Sequence, residues 1–458
     1  MKRSDRDAPR VGVISLGCAK NLVDSEQMIA SLLRAGFVLT GRPAEADLLL
    51  VNTCAFIRDA RAEALAAVRE ACAYKRRGRC RVVAVAGCLV QQQGSDLLRR
   101  FPDVDLFLGL DALDRAGALA ARTLESGGPI LDMSPQAVRL FEPAEPRVRL
   151  AAGPYAYLKI AEGCDHRCGF CAIPAIRGRH RSRPVARIVA EAEARLAQGV
   201  RELILISQDT TAYGRDRRDG ADLCGLLRAL GRIGGRFWIR ILYGYPTGIT
   251  DRLLDTLGEI PQACRYLDVP IQHSHPEVLR VMRRGATRQA VAALPERVRR
   301  RFPGAVLRTT CLVGHPGETA AAFRHLLAYI ADAAFDHLGV FAFSPEAGTP
   351  SAALRQPAAA TAARRREALL AQQQAVLDRQ AGTLAGTEDE FLIEQAASGS
   401  AGTALGRTRR QAPEVDGRTC VTGLPSGHGA GDWATIRYTV RRGIDWRARA
   451  VPPDGRSV

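Results

Sequence analysis

The sequence predicts an α/β protein in three parts: an N-terminal doubly wound parallel-sheet domain, a central partial (β/α)6 barrel, and a small C-terminal antiparallel β-barrel. Three observations predict it. Short aliphatic runs alternate with helix-length stretches up to about residue 140, and do so again from about 154 to 350. After 382 the pattern gives way to short alternating runs split by Gly and Pro. Strand–helix alternation reads as a parallel sheet with right-handed crossovers, and short strands without helices read as a small barrel. The boundaries that follow are 1–140, then 154–380 with a connecting helix, then 382–448.

The totals agree. A chain of 458 residues is long enough for two or three domains. Its 47% hydrophobic and 5% aromatic content fits Ala-, Leu- and Val-rich cores. No apolar run approaches the roughly 20 residues of a membrane span. The charged start, MKRSDRDAPR, leads straight into a strand and does not read as a secretory leader, so a cytosolic protein is expected. In that compartment twelve cysteines argue for metal or redox chemistry over a disulfide framework. The net charge of +17, from 65 Lys and Arg against 48 Asp and Glu, suits a ribosomal or RNA-bearing environment. General arginine richness accounts for it equally well, because the lysines are only Lys2, Lys20, Lys75 and Lys159.

In the first part, VGVISLGC, DLLLVNTC and RVVAVAGC are buried-strand runs, and each ends in a cysteine: Cys18, Cys54 and Cys88. Helical patterns lie between them, Ser25 to Arg34 before Gly36 and Arg61 to Arg77 before Gly78. Ligands of open parallel sheets gather outside the carboxyl ends of the strands. Three thiols at matching strand ends therefore converge on one edge, which reads as a metal-cluster site with one iron left open. The competing reading is small cysteines packed in strands. Cys72 and Cys80 read as structural, and residues 124–153, with SGGP, MSP and EPAEP, read as a linker.

The central part opens on YLKIAEGCDHRCGFCAIPAIRGRHRSRP, where Cys164, Cys168 and Cys171 follow a strand in C-x3-C-x2-C spacing. Thiolates ligate iron–sulfur clusters, and four complete a [4Fe–4S] cube. Three leave one iron for the amino and carboxylate groups of S-adenosylmethionine. A zinc site would pair C-x2-C with a second Cys or His pair, and none follows. Phe170, just before the last cysteine, fits a ring packed over the adenine. Strand candidates fall at 156–160, 202–206, 237–243, 266–271, 305–313 and 337–343, with helices such as Val185 to Gln198 and Leu223 to Ile233 between them. Six βα units suit an open barrel rather than a closed eight-stranded one.

Polar residues sit past these strands: Gln208, Asp209 and Thr210, then Tyr243 and Tyr245, then Gln272 and His273. LVGHPGE follows at 312–318, where Gly314 would let backbone approach a ligand. As a set they are expected to line the cofactor and substrate cavity. Arg177, Arg179, Arg181 and Arg183 read as a solvated face or as a contact for an acidic partner. Cys224, Cys264 and Cys311 read as packing residues. In the tail, Ala352 to Ala381 reads as a connecting helix, and EDEFLIEQ, GRTCVTG and DWATIRYTV as barrel strands. Arg407 to Gly417 would put basic residues and a turn on the barrel surface.

Together these features resemble the methylthiotransferases of the radical S-adenosylmethionine superfamily, and the terminal barrel looks like their TRAM domain. VISLGCAKNLVDSE (13–26), the cluster loop, ISQDTTAYGRD (206–216), LRTTCLVGHPGET (307–319) and GVFAFSPEAGTP (339–350) are similar to the branch that modifies ribosomal protein S-twelve of the small subunit. The alternative branch, the tRNA adenosine methylthiotransferases, carries a GQNVNAY-like segment near 208. Ala19 stands where proline is usual and His315 where phenylalanine is common, and the residues after Arg441 match poorly.

The resemblance implies a transferase that adds a methylthio group to the β-carbon of an aspartate, whose C–H bonds are not acidic enough for acid–base catalysis. It implies two [4Fe–4S] clusters and S-adenosylmethionine. Cys164, Cys168 and Cys171 would hold the cluster that reduces S-adenosylmethionine to give the 5′-deoxyadenosyl radical. Cys18, Cys54 and Cys88 would hold the cluster whose open iron carries the inserted sulfur. Phe170, Gln208, Gln272 and Gly314 would contact the cofactor. The expected partners are S-twelve, free or in the small subunit, a low-potential electron donor such as flavodoxin or ferredoxin, and ribosomal RNA, with no membrane.

Overall fold

The computed structural model describes residues 8–140, 147–396 and 402–452. The first sheet is built from β1 (Arg10–Ser15), β2 (Val38–Leu39), β3 (Leu48–Thr53), β4 (Val82–Gly87), β5 (Leu106–Leu108) and β6 (Ile130–Asp132), in the order β2-β1-β3-β4-β5-β6. Every ladder in it is parallel. Four helices wind around it: α1 (Ala19–Arg34), α2 (Arg58–Arg77), α3 (Cys88–Arg100) and α4 (Ala116–Ser126). Side chains alternate across a strand, so Leu48 and Leu50 of β3 join Met28, Leu32 and Ala116 on one face. Leu49 and Val51 join Ala64, Val68 and Leu97 on the other. Both faces are therefore buried, which is why β3 and β4 read as unbroken apolar runs. The stretch expected to be a linker contains β6, which extends the sheet by pairing with β5. Three residues within SGGP and MSP punctuation give too little periodicity to reveal a strand.

The central elements are β7 (Tyr155–Lys159), β8 (Ala161–Glu162), α5 (Ile173–Arg177), β9 (Arg181–Ser182), α6 (Val185–Ala197), β10 (Glu202–Ile206), α7 (Leu223–Gly231) and β11 (Trp238–Ile241). They continue with α8 (Asp251–Glu259), β12 (Ala263–Asp268), α9 (Pro276–Val281), α10 (Arg288–Arg301), β13 (Val306–Val313), α11 (Ala320–Ala333), β14 (His337–Ala342) and α12 (Ala359–Leu384). Six strands form one open sheet in the order β14-β13-β12-β11-β10-β7, and its ladders from β10 to β14 are parallel. This is the partial barrel. The tail closes a five-stranded barrel from β15 (Glu388–Ala396), β16 (Ala404–Thr408), β17 (Thr419–Thr422), β18 (Trp433–Arg442) and β19 (Asp445–Ala450). Its ladders are antiparallel except β17–β19. The poorly matching residues after Arg441 thus supply the strand that closes it.

The chain divides into two compact units that are discontinuous in sequence. One comprises Met1–Leu150, Lys159–Arg183 and Ser344–Thr349; the other comprises Ala151–Leu158, Pro184–Phe343 and Pro350–Val458. In the second unit, the basic segment expected on the surface is instead buried at its start. The Arg407 guanidinium forms an ion pair with Glu202 at 2.6 Å and donates to Glu394 at 2.7 Å, and Arg240 donates to the same Glu202 at 2.6 Å. Burial opposes ionisation of Glu202, but Arg240 and Arg407 hold its pKa below the ordinary value. Arginine is read as surface by default, and only carboxylates distant in sequence reverse that.

Removing one partner of such a buried set leaves an uncompensated charge, which costs about 3–5 kcal/mol. Arg407→Met is expected to lose that much, read as a lower urea midpoint in the fluorescence of Trp238 and Trp433, whose rings lie 4.8 Å apart. An unchanged midpoint would show that the network does not hold this unit together.

Candidate active site: two cysteine trios in one unit

Cys18, Cys54 and Cys88 follow β1, β3 and β4 at the carboxyl edge of the first sheet. Cys18 is the residue before α1, and Cys88 is the first residue of α3. A helix N-terminus favours negative charge, so both positions suit a thiolate. The glycine before each makes the close approach possible. Gly17 and Gly87 have φ of 98° and 96°. A Cβ on Gly17 would stand 2.8 Å from Cβ of Cys54, and one on Gly87 would stand 2.4 Å from Asn52 Oδ1.

Asn21 joins the three strand ends. Its Nδ2 donates to the carbonyls of Leu16 at 3.1 Å and Thr53 at 3.0 Å. Its Oδ1 lies 4.0 Å from the Cys18 sulfur and 3.7 Å from that of Cys88. Burial pushes the Cys88 thiol up to about 12, Arg177 acts against that, and Cys54 and Cys18 reinforce it. The three thiols therefore share one electrostatic environment. Among the described residues, no three His, Cys, Asp or Glu side chains are close enough to hold a single metal ion.

Cys164, Cys168 and Cys171 belong to the same unit. Their loop is closed at its base by the β8–β9 ladder, with Ala161 opposite Ser182 and Glu162 opposite Arg181. Inside it, the Cys164 amide donates to the Gly178 carbonyl at 3.1 Å and the Cys171 amide to that of Cys168 at 3.2 Å. Cys168 is buried, Cys164 and Cys171 are half-buried, and so is Phe170. Ala172 and Ile176 anchor the loop by joining the core between α2, α3 and the sheet.

The arginine run splits by position. Arg179 is exposed and Arg181 half-buried, whereas Arg177 and Arg183 are 2% and 4% exposed. The four were read as a solvated face or a contact for an acidic partner; the solvated-face alternative is corrected for these two. Arg183 donates to the Lys159 carbonyl at 2.9 Å. Arg177 donates to Glu162 at 2.8 Å, Asp24 at 2.9 Å, Asn21 at 2.8 Å and the Cys88 sulfur at 3.2 Å. Lys159 completes the set by donating to Asp24 and, at 2.7 Å, to Glu162. The two cations and two carboxylates balance. The sequence reading missed Asn21, Asp24, Lys159 and Glu162, and took Arg177 only as part of the arginine run; each lies inside a motif it quoted, but the partners are up to 156 residues apart.

In the second unit, Gln208, Gln272 and Gly314 follow β10, β12 and β13 at the carboxyl end of the sheet. Two non-glycine residues there, Tyr243 and Gln272, hold φ of 63° and 68°. Left-handed backbone at bulky residues is strained, and such strain collects at functional sites. Hydrogen bonds fix both: the Tyr243 amide donates to Asp268 at 2.9 Å, and that of Gln272 to the Thr310 carbonyl at 2.9 Å. Asp209 and Thr210 are engaged locally, Asp209 accepting from the Thr211 amide at 2.9 Å and Thr210 donating to the Leu242 carbonyl at 2.6 Å. Gly314 is buried, its amide donates to the Glu318 carboxylate, and Ala362 of α12 occupies the space where a Cβ would stand. Glu318 also accepts from Arg365 at 2.8 Å.

His315 pairs its Nε2 with Ser351 Oγ at 2.8 Å, and its ring meets that of Phe343 edge-on at 5.0 Å.

Three family models match the chain: the uncharacterized protein family UPF0004 over residues 10–109, the radical SAM superfamily over 158–330 and the TRAM domain over 385–451. The solved radical S-adenosylmethionine methyltransferase TsrM from Kitasatospora setae, with cobalamin and a [4Fe–4S] cluster bound, superposes with a TM-score of 0.53 at 18% identity. It covers 75% of this chain and 74% of that one, which shows a shared fold. Fold and matches together define a radical S-adenosylmethionine protein with an N-terminal sheet domain and a terminal TRAM barrel. The ribosomal protein uS12 methylthiotransferase RimO of Syntrophus aciditrophicus is 44% identical over 90% of this chain and 92% of its own. That of Symbiobacterium thermophilum is 42% identical over 97% and 91%. The chain belongs to the RimO family.

Burial pushes the His315 imidazole down to about 4 from 6.5. The unfolded chain then binds the extra proton, so stability is complete above pH 6.5 and falls as the pH drops from there towards 4. His315→Phe, the residue common in this motif, is expected to remove that fall. Thermal melts of both proteins across pH 7 to 4 check it, and parallel curves would contradict it.

Proposed function

We propose that this protein methylthiolates the β-carbon of an aspartate of ribosomal protein uS12, the S-twelve protein of the small subunit. The observation that carries the reading is the gathering of Cys18, Cys54 and Cys88 at one sheet edge, in the same unit as the C-x3-C-x2-C loop. Both donor sets are soft thiolates without oxygen ligands, which suits iron–sulfur clusters. Two helix N-termini and the Arg177 cation offset the negative charge that three thiolates and a cluster bring to the sheet edge. The residues fit the group.

Bound there, two [4Fe–4S] clusters and S-adenosylmethionine supply the one-electron chemistry and the sulfur that an unactivated C–H bond requires. Cys164, Cys168 and Cys171 hold one cluster in the loop clamped by β8 and β9. Cys18, Cys54 and Cys88 hold the other. Phe170, Gln208, Gln272 and Gly314 are the proposed contacts to S-adenosylmethionine, and the strained backbone at Gln272 supports its place in that set. A low-potential donor such as flavodoxin or ferredoxin is the proposed electron source. The +17 charge supports contact with ribosomal RNA in the cytoplasm.

Mass spectrometry of uS12 and of bulk tRNA, from cells with and without the gene, tests the substrate. Loss of one methylthio mass from an aspartate peptide of uS12 is expected. An unchanged uS12 with loss of a methylthio-adenosine from tRNA would overturn it in favour of the tRNA branch. For the division of labour, Cys168→Ala is expected to abolish S-adenosylmethionine cleavage. Cys54→Ala should leave cleavage measurable and stop sulfur insertion; normal methylthiolation by Cys54→Ala contradicts the assignment.

A further inference from the structure

Arg177 does more than balance buried charge. It lies six residues past Cys171, at the end of the short helix α5 that seats the cluster loop, yet its guanidinium reaches the Cys88 sulfur of the other trio at 3.2 Å. The same nitrogen, Nη2, donates to Asn21 at 2.8 Å and to Asp24 at 2.9 Å, and Nη1 holds Glu162 at 2.8 Å. The side chain is 3% exposed, so water does not screen it. Its direction is fixed from both sides. Ile176 is packed in the core behind it, and Lys159 shares both carboxylates in front.

A donor to a ligating sulfur withdraws electron density from the metal–sulfur bond, and hydrogen bonds to the sulfurs and nearby charge are what set a cluster's reduction potential. A cation held at 3.2 Å from one ligand favours the reduced, more negative state. We propose that Arg177 is a positioning residue that donates to the Cys88 thiolate and raises the reduction potential of the cluster on Cys18, Cys54 and Cys88. The loop of one trio thereby sets the electronic state of the other. This rests on the ligand assignment above.

The test is a redox titration of the full-length chain with Cys164, Cys168 and Cys171 replaced by Ala, so that the remaining reconstituted cluster is the N-terminal one. Arg177→Gln is combined with Glu162→Gln, which removes the donor and keeps the buried charges balanced. The midpoint potential, followed by visible absorption and electron paramagnetic resonance, is expected to fall in this variant. Arg177→Lys serves as the gentler substitution. An ammonium cannot span the acceptors that the fork spans, so a smaller fall is expected. In the converse background, with Cys18, Cys54 and Cys88 replaced by Ala, the midpoint is expected not to move.

An unchanged midpoint in both Arg177 variants with the cluster loaded overturns the proposal and leaves the ligand assignment standing. An equal fall in both backgrounds also overturns it, because general loosening would act on either cluster. Failure of the first background, with Arg177 intact, to load any cluster overturns the ligand assignment and this inference with it.

Discussion

The buried set of Asp24, Glu162, Lys159 and Arg177 is the constraint on which the first unit depends. Each of these charges loses several kcal/mol of hydration on burial, and only close pairing offsets that. Two cations and two carboxylates within hydrogen-bond distance meet the requirement with no net charge left over. Such sets contribute little net stability, but they tolerate almost no displacement, because moving one member strands the others. The three-cysteine loop, proposed above to hold a cluster, needs that property: a short helix and a two-stranded clamp would drift without fixed contacts.

The same set explains why a loop distant in sequence belongs to the unit formed by the first sheet. Lys159–Arg183 belongs to the compact unit built on the N-terminal sheet. Ala172 and Ile176 supply the apolar part of that attachment, and Arg177 supplies the polar part. Hydrophobic burial gives the loop its place, and the ion set gives it a single orientation within that place.

Much of this was legible in the sequence, and the boundary of what was legible has a physical cause. Cys18, Cys54 and Cys88 could be placed at strand ends because β1, β3 and β4 lie in short aliphatic runs that each lead into a cysteine. The strands of the partial barrel were legible as short runs separated by helix-length stretches. Arg177 and Arg407 were not, because an arginine's burial is decided by carboxylates far along the chain: Asp24 is 153 residues from Arg177, and no local pattern records that. Strand β6 escaped because three residues carry no periodicity. The closing strand β19 formed despite its poor match, since alternation in DWRARA still places Trp446 and Ala448 in the barrel core.

The central claim is that this one unit carries two separate three-thiolate cluster sites. Iron and acid-labile sulfide content with Mössbauer spectra, on the reconstituted full chain and on two triple variants, measures it most directly. About eight iron atoms per chain are expected in the intact protein, falling to about four when Cys18, Cys54 and Cys88 become Ala, and to about four when Cys164, Cys168 and Cys171 do. An iron content unchanged by loss of the N-terminal trio would contradict it, and would return those cysteines to the role of packing residues.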